Sequence, residues 1–298
     1  MIMNKINFWG IISSFFFIVL LSSCDKFDSD QEIPAYIQID TIVLVDNPAL
    51  SEGSLSNNIT DVWVYINDQL LGAYEMPATF PVLNEGIVKV TIMAGIKLNG
   101  IAATRVPYPF YQQIILKSVK LAPDSITKLN ISTSYIDDTE FAWIEAFEFT
   151  NISLDTTAKS KVGIHETAPG SPLTFEGLHS GIVNLLSEED FFECATYNAY
   201  VLPQLGRPVF LEVNYKTSNI LTIGVFEQTN NQIIQTPIVN INTSENWKKI
   251  YINLTPIVSG STDAIDFKIF LGAIIDEGLN ESQIFLDNIK LLYNKSDI

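Results

Sequence analysis

From Ile33 to the C-terminus the chain is cut into short runs rich in Ile, Val, Thr and aromatic residues, each bounded by Asn, Asp, Gly or Pro. Period-two alternation within such a run buries one face of a strand and wets the other. Turn residues at this density leave little room for helices. A charged fraction of 17% against 47% hydrophobic favours the same class. The expected fold is all-β. The chain has two cysteines, Cys24 and Cys194. Cys194, alone within the β-rich body, cannot form an internal disulfide there, so folding must rest on hydrophobic cores. A chain of 298 residues is long for one core and comfortable for two domains.

The first residues carry Lys5, then an apolar run from about Phe8 to Leu21, then Ser22-Ser23-Cys24. A positive start, an apolar stretch and small residues before a cut make a secretory signal. The apolar run falls short of the roughly 20 residues that a membrane span needs. Leu21-Ser22-Ser23-Cys24 resembles the bacterial lipobox. That resemblance implies cleavage after residue 23, diacylation of the Cys24 thiol and acylation of the new amino terminus. Residues 24–32 are polar and acidic, with Asp25, Asp28, Asp30 and Glu32, and are expected to form a tether. The tether resembles the acidic export signal of Bacteroidota surface lipoproteins, which implies an outer-membrane protein facing outward from the cell. Net charge is −17, and the cleaved chain, without Lys5, is one unit more negative. No basic stripe interrupts this field, so nucleic acid is excluded as a partner.

Residues 33–136 are expected to form a small antiparallel β-sandwich. Asp61–Ile66 and Gln69–Tyr74 flank Asn67-Asp68 and make a hairpin, both central residues tolerating positive φ. A second strand pair is expected around Asn84-Glu85-Gly86, and two further strands at Ile114–Leu121 and Ile126–Ser134. The pattern of Val62 to Gly72 followed by Gly86 to Val90 resembles immunoglobulin-like or transthyretin-like modules of bacterial surface proteins. Between these strands, Thr104-Arg105-Val106-Pro107-Tyr108-Pro109-Phe110-Tyr111 follows an extended path that its prolines keep out of a sheet interior. Its aromatics either plug the end of the sandwich or form an exposed platform for a sugar or partner.

Residues 137–140 form a linker, and residues 141–298 a second domain. Strands are expected at Phe141–Phe149, Val209–Lys216, Leu221–Phe226, Trp247–Leu254, Phe267–Ala273 and Ile284–Leu291, within about eight that would build a jelly roll. Phe210–Lys216, Trp247–Tyr251 and Phe285–Leu291 stand in the order seen in galactose-binding-like and carbohydrate-binding jelly rolls, which they resemble. Trp63 and Trp247 lie inside strands and are expected in the cores, whereas Trp143 stands at the domain junction.

Catalytic chemistry is poorly represented. His165 and His179 are the only histidines, and neither they nor Cys194 make a zinc site or an activated thiol. No nucleophile elbow or phosphate loop occurs. The paired carboxylates Asp137-Asp138, Glu188-Glu189-Asp190 and Asp276-Glu277 sit in turn-like contexts. No catalytic residue, metal or cofactor is expected. The resemblance to jelly rolls that hold calcium near the closing strand points to Asp287 and Glu148, although a carboxylate accepting backbone hydrogen bonds explains them as well. Asp40-Thr41-Ile42, Asp124-Ser125-Ile126 and Asp155-Thr156-Thr157 resemble the O-glycosylation acceptor of the same phylum, which implies glycans on Thr41, Ser125 and Thr156.

The sequence therefore reads as a non-catalytic, lipid-anchored envelope protein that presents a binding face, to glycan or to other envelope proteins. Tyr108, Phe110, Tyr111, Tyr197 and Tyr200 are the candidate contact residues, with Asn198 beside the last two. The alternatives are a structural subunit of an outer-membrane complex and a glycoside hydrolase-like enzyme.

Overall fold

The computed structural model describes residues 32–187 and 190–298. Cys24, the tether up to residue 31, Glu188 and Glu189 lie outside the described residues. The N-terminal unit runs through β1 (Ala35–Ile39), β2 (Ile42–Leu44), β3 (Asp61–Ile66), β4 (Gln69–Glu75), β5 (Ala78–Val82), β6 (Gly86–Lys97), β7 (Arg105–Pro107), β8 (Ile114–Leu121), β9 (Ile126–Lys128) and β10 (Ile131–Thr133). One layer is β4-β3-β6, with β8 and β7 sharing the far side of β6. The other joins β5-β1-β9 and β2-β10. The β3–β4 hairpin forms on Asn67 and Asp68, at φ 49° and 68°, and β7 stays at a sheet edge as its proline requires.

Pairing departs from expectation in two places. β5 pairs with β1, not across Asn84-Glu85-Gly86 with β6. β9 and β10 leave β8 and run parallel to β1 and β2. In both cases the turn carries the chain from one layer to the other. Alternation fixes which face of a strand is buried but leaves its neighbour open. Trp63 is likewise half-buried on the outer face of its sheet, because Val62 and Val64 take the inward positions.

The C-terminal unit contains β11 (Thr139–Glu145), β12 (Leu154–Thr156), β13 (His165–Glu166), β14 (Gly181–Leu185), β15 (Phe191–Thr196), β16 (Val209–Thr217), β17 (Leu221–Gln228), β18 (Ile233–Ile241), β19 (Ser244–Asn253), a one-turn helix α1 (Thr255–Gly260), β20 (Asp266–Ile274) and β21 (Ser282–Asn294). Two sheets, β13-β14-β21-β16-β19 with β11 also on β21, and β12-β15-β20-β17-β18, enclose one core. This is the expected β-sandwich of jelly-roll type. The first strand ends earlier than expected. Phe147 turns inward at φ 56° over Gly181, where a Cβ would come within 2.6 Å of its ring, and Phe149 is left exposed. Trp143 belongs to the jelly-roll core and not to the junction. Cys194 is fully buried there, and burial pushes its thiol pKa up.

The two units share a core. Phe210, Tyr251 and Leu292, on the outer face of β16, β19 and β21, pack into the N-terminal cluster. Tyr108, Phe110 and Tyr111 are buried against them, at 2%, 0% and 5% exposure, with Tyr108 4.8 Å from the Tyr251 ring and 5.4 Å from that of Phe210. This corrects the exposed-platform reading of these three residues. An extended aromatic stretch with two fixed φ angles instead fills the junction.

Beneath the rings lies a buried ion cluster. The Glu212 carboxylate accepts from the Tyr108 hydroxyl at 2.7 Å and the Tyr135 hydroxyl at 3.0 Å, and pairs with Lys249 at 2.6 Å. Lys249 also donates to the Ser56 carbonyl, and Lys290 to the Ser54 carbonyl. Ser56 exchanges hydrogen bonds with Asn214. Burial alone would raise the Glu212 pKa, but the Lys249 and Lys290 ammoniums hold it below its ordinary value. Lys290 is brought down to about 8, chiefly by burial and then by Lys249.

The loop over residues 167–180 is tied to the jelly roll by two carboxylates. Glu148 accepts the Leu178 and His179 amides. Gly177, at φ 69°, leaves space that a Cβ would take 2.2 Å from the Glu148 carboxylate. Buried Asp287 accepts from the Ser180 hydroxyl and the Asn288 amide. Glu148 and Asp287 thus serve the backbone-bonding role, and no cluster of three metal-binding side chains occurs among the described residues. Burial raises the Asp287 pKa to about 7, against the Ser180 and Asn288 hydrogen bonds.

Two predictions follow from these buried charges. Glu212→Ala strands the buried Lys249 ammonium and should cost about 3–5 kcal/mol, a fall in Tm of roughly 6–20 °C for a chain of this size, read by thermal melting. At Asp287 the folded state keeps its proton to about pH 7, whereas the unfolded chain loses it near pH 4. The unfolded state therefore binds fewer protons in that window, and the Asp287 contribution to stability falls as pH rises through it. Asp287→Asn should gain on the parent by about 1.4 kcal/mol or more between pH 4 and 8; melts showing a constant difference across that range would refute the assignment.

Candidate functional site

A cavity of about 710 Å³ opens at one end of the jelly roll, between the segment leading into β12, strand β13 and the residues after β15. Its framework is organised by Glu145, a buried carboxylate at the end of β11. Glu145 accepts the Phe147 amide at 2.8 Å and the Ser153 amide at 2.6 Å, which bends the chain back after the strand. Trp143 Nε1 donates to the Ser153 hydroxyl at 2.8 Å, and the Tyr197 amide donates to the Ser153 carbonyl at 2.9 Å. Tyr197 is thereby fixed beside residues 150–153. Lys268 donates to the Tyr197 carbonyl, and the Thr196 hydroxyl to the Asn198 carbonyl, so the turn after β15 is held from both sides. On the opposite wall His165 pairs in register with Ile182 of β14.

The functional side chains of this cavity are mixed. Tyr197 presents its ring at 65% exposure. Asn151, Asp155, His165 and Glu166 line the space, and their side chains have no hydrogen-bond or ion-pair partner among the described residues. Ile152 and Ile164 supply an apolar floor. No Lys or Arg side chain lines it. An exposed ring beside free amide, imidazole and carboxylate groups offers a stacking surface with hydrogen-bonding groups around it. Asp155 is exposed, whereas a glycosidase acid is held in a desolvated pocket.

Of the residues singled out in the sequence, the structure brings Tyr197 and Asn198 to this cavity. Tyr200 turns inward, half-buried against the jelly-roll core, its backbone bridged to Phe267. Asp137 and Asp138 are occupied by Asn47 and Ser296, and Asp276 by the Ile220 amide. Thr41 and Thr156 are exposed, and Ser125 is half-buried with its hydroxyl donating to the Ala122 carbonyl. Sequence reasoning missed Asn151 and the adjacent pair His165 and Glu166, which carry no motif. The one available signal was the polar, turn-rich stretch between Phe149 and Glu166.

No protein-family model matches the chain, and no curated protein matches it. Solved structures do show likeness. A family 11 carbohydrate-binding module from Clostridium thermocellum, in complex with a mixed-linked tetrasaccharide, is 12% identical, covering 50% of this chain and 94% of its own, with a TM-score of 0.33. A carbohydrate-binding module of the β-sandwich superfamily is 15% identical, over 78% of this chain and 84% of its own, with a TM-score of 0.36. The enzymatically active domain of bacteriophage CBA120 tailspike protein 4 is 14% identical over 49% of this chain, with a TM-score of 0.37, and the match spans only 20% of that domain's chain. At these identities and scores the likeness bears on neither ligand nor activity.

Proposed function

We propose that this protein is a non-catalytic glycan-binding protein that takes uncharged sugars in the cavity around Tyr197. The exposed Tyr197, its backbone tied to Ser153 and Lys268 beside free hydrogen-bonding side chains, carries the reading. A sugar ring has an apolar C–H face that stacks on an aromatic ring and an equatorial belt of hydroxyls that needs donors and acceptors. Asn151 supplies both, and Asp155 and Glu166 accept from hydroxyls while repelling acidic sugars. The body is held to the outer membrane by acyl chains on Cys24 and faces outward, a placement supported by the Leu21-Ser22-Ser23-Cys24 run and the acidic tether.

Tyr197→Ala should weaken binding of neutral oligosaccharides about 10-fold or more, corresponding to about 1.4 kcal/mol, without lowering Tm. Titration calorimetry on the hits of a glycan array reads the first, and bound oligosaccharide should be recovered uncut. An array without hits, or affinity unchanged in the variant, refutes the site. Cys24→Ser should release the protein from the membrane fraction; a variant retained as firmly as the parent refutes the anchor.

A further inference from the structure

A second cavity, of about 570 Å³, lies at the other end of the jelly roll, where β16 finishes and β19 and β21 begin. It is built on the outer face of the sheet whose remainder the N-terminal unit covers. Phe285 of β21 and Trp247 of β19 lean toward each other across β16, their centroids 6.3 Å apart. Phe175, from the loop held by Glu148 and Asp287, closes on Trp247 at 5.2 Å. Trp247 is thus half-buried on this face and outside the jelly-roll core, contrary to the sequence expectation. Lys216 of β16 places its ammonium 5.8 Å from the centre of the Phe285 ring.

Lys216 is distinctive among the cations. Every other Lys or Arg of the described residues that is at least partly buried donates to a carboxylate or a carbonyl. Lys216, partly buried in a chain with 34 acidic and 17 basic residues, has neither kind of partner. Taking an ammonium partly out of water without a counter-charge is unfavourable, and the ring face offsets only part of that. The groups around it are suited to a sugar. Leu173 and Phe285 give an apolar wall, and Thr243 is on the lining with its hydroxyl unengaged. Gln283 has spent its amide N–H on Asn184, which leaves its carbonyl oxygen to accept. Glu245 also lines the cavity without a partner. It accepts hydroxyls and repels any second negative charge.

We propose that this cavity binds an acidic sugar of the uronate type, its single carboxylate paired with Lys216 and its ring face against Leu173 and Phe285. The site is separate from the cavity around Tyr197, which has two carboxylates and no cation. Glu245 selects for one negative charge per ring and against densely sulfated chains.

Oligogalacturonate, titrated by calorimetry into the full mature chain, tests this. Its affinity should fall at least 10-fold in Lys216→Met, which keeps the apolar stem, and should fall in the parent as salt rises above about 0.1 M. It should be unchanged in Tyr197→Ala. In the unaltered protein, amide NMR shifts on titration should centre on Ser218, Thr243 and Gln283, which keeps the test valid should the variant fold poorly. Absence of binding at millimolar oligogalacturonate, equal affinity in Lys216→Met, or shifts confined to residues 150–155 and 197–198 overturns the proposal. Loss of neutral-sugar binding alone would count against the Tyr197 site and leave this one standing.

Discussion

The carboxylate of Glu212 is the constraint around which the two units are arranged. A charge at zero exposure is tolerated only when nearly every lone pair is satisfied. Here the partners come from both units. Tyr108 and Tyr135 reach in from the N-terminal side, and Lys249 from the jelly roll, with Lys249 and Lys290 themselves satisfied by the carbonyls of Ser56 and Ser54. Apolar side chains of equal volume would hold the units together about as well. They would do so in several relative positions, because apolar contact has no direction. The hydrogen-bonded cluster is satisfied in one position and leaves unpaired buried charges in any other, so it fixes register more than it adds cohesion.

That fixed register decides which parts of the jelly roll can meet a ligand. The outer face of β16, β19 and β21 is covered from Phe210, Tyr251 and Leu292 as far as Asn214, Lys249 and Lys290. Of that face, the part carrying Lys216, Trp247 and Phe285 is left open, and the cavity around Tyr197 lies at the opposite end of the sandwich. The ends differ in charge. Asp155 and Glu166 face one cavity with no cation, and Lys216 faces the other. On a strongly acidic protein the long-range field is the same for both, so under the two proposed assignments discrimination between sugar classes has to come from these close groups, inside the Debye length of about 8 Å.

How much of this could be read from the sequence follows from what strand periodicity encodes. The Asn67-Asp68 hairpin and strands β8, β16, β17, β19, β20 and β21 were legible because apolar alternation and turn chemistry are local. Pairing partners were not, as the parallel match of β1 with β9 shows, because both edges of a strand offer the same hydrogen bonds. Strands β12 to β15 and β18 carried too little alternation or too few residues to stand out; β18 even contains Pro237, which its edge position tolerates. Tyr108, Phe110 and Tyr111 show a further limit. Their composition fits an exposed platform and a buried interface equally well, and only the partner surface around Phe210 and Tyr251 distinguishes the two. At the site, Tyr197 and Asn198 were within reach of sequence reasoning because they follow a strand in a turn. His165 and Asn151 came to one cavity through the β13–β14 pairing and the hydrogen bonds of Glu145 to Phe147 and Ser153.

The course of the chain through the N-terminal unit gives the assembly a direction. Ile33 enters beside Asp124 and Ser125, at the end where Gly86 pairs with Leu121. From there β6 runs its full length to Leu98, which bridges to Tyr251 of the jelly roll. Twelve residues of strand at about 3.3 Å each place the jelly roll roughly 40 Å beyond the point of entry. The inner end of the N-terminal unit is consumed by the Glu212 cluster, which makes the unit a stiff post between its entry point and the jelly roll. Under the proposed anchoring at Cys24, that post stands between the lipid and the jelly roll. A flexible linker of the same length would lower the effective concentration of each site toward a fixed glycan, whereas a post locked at Glu212 holds both in a set geometry.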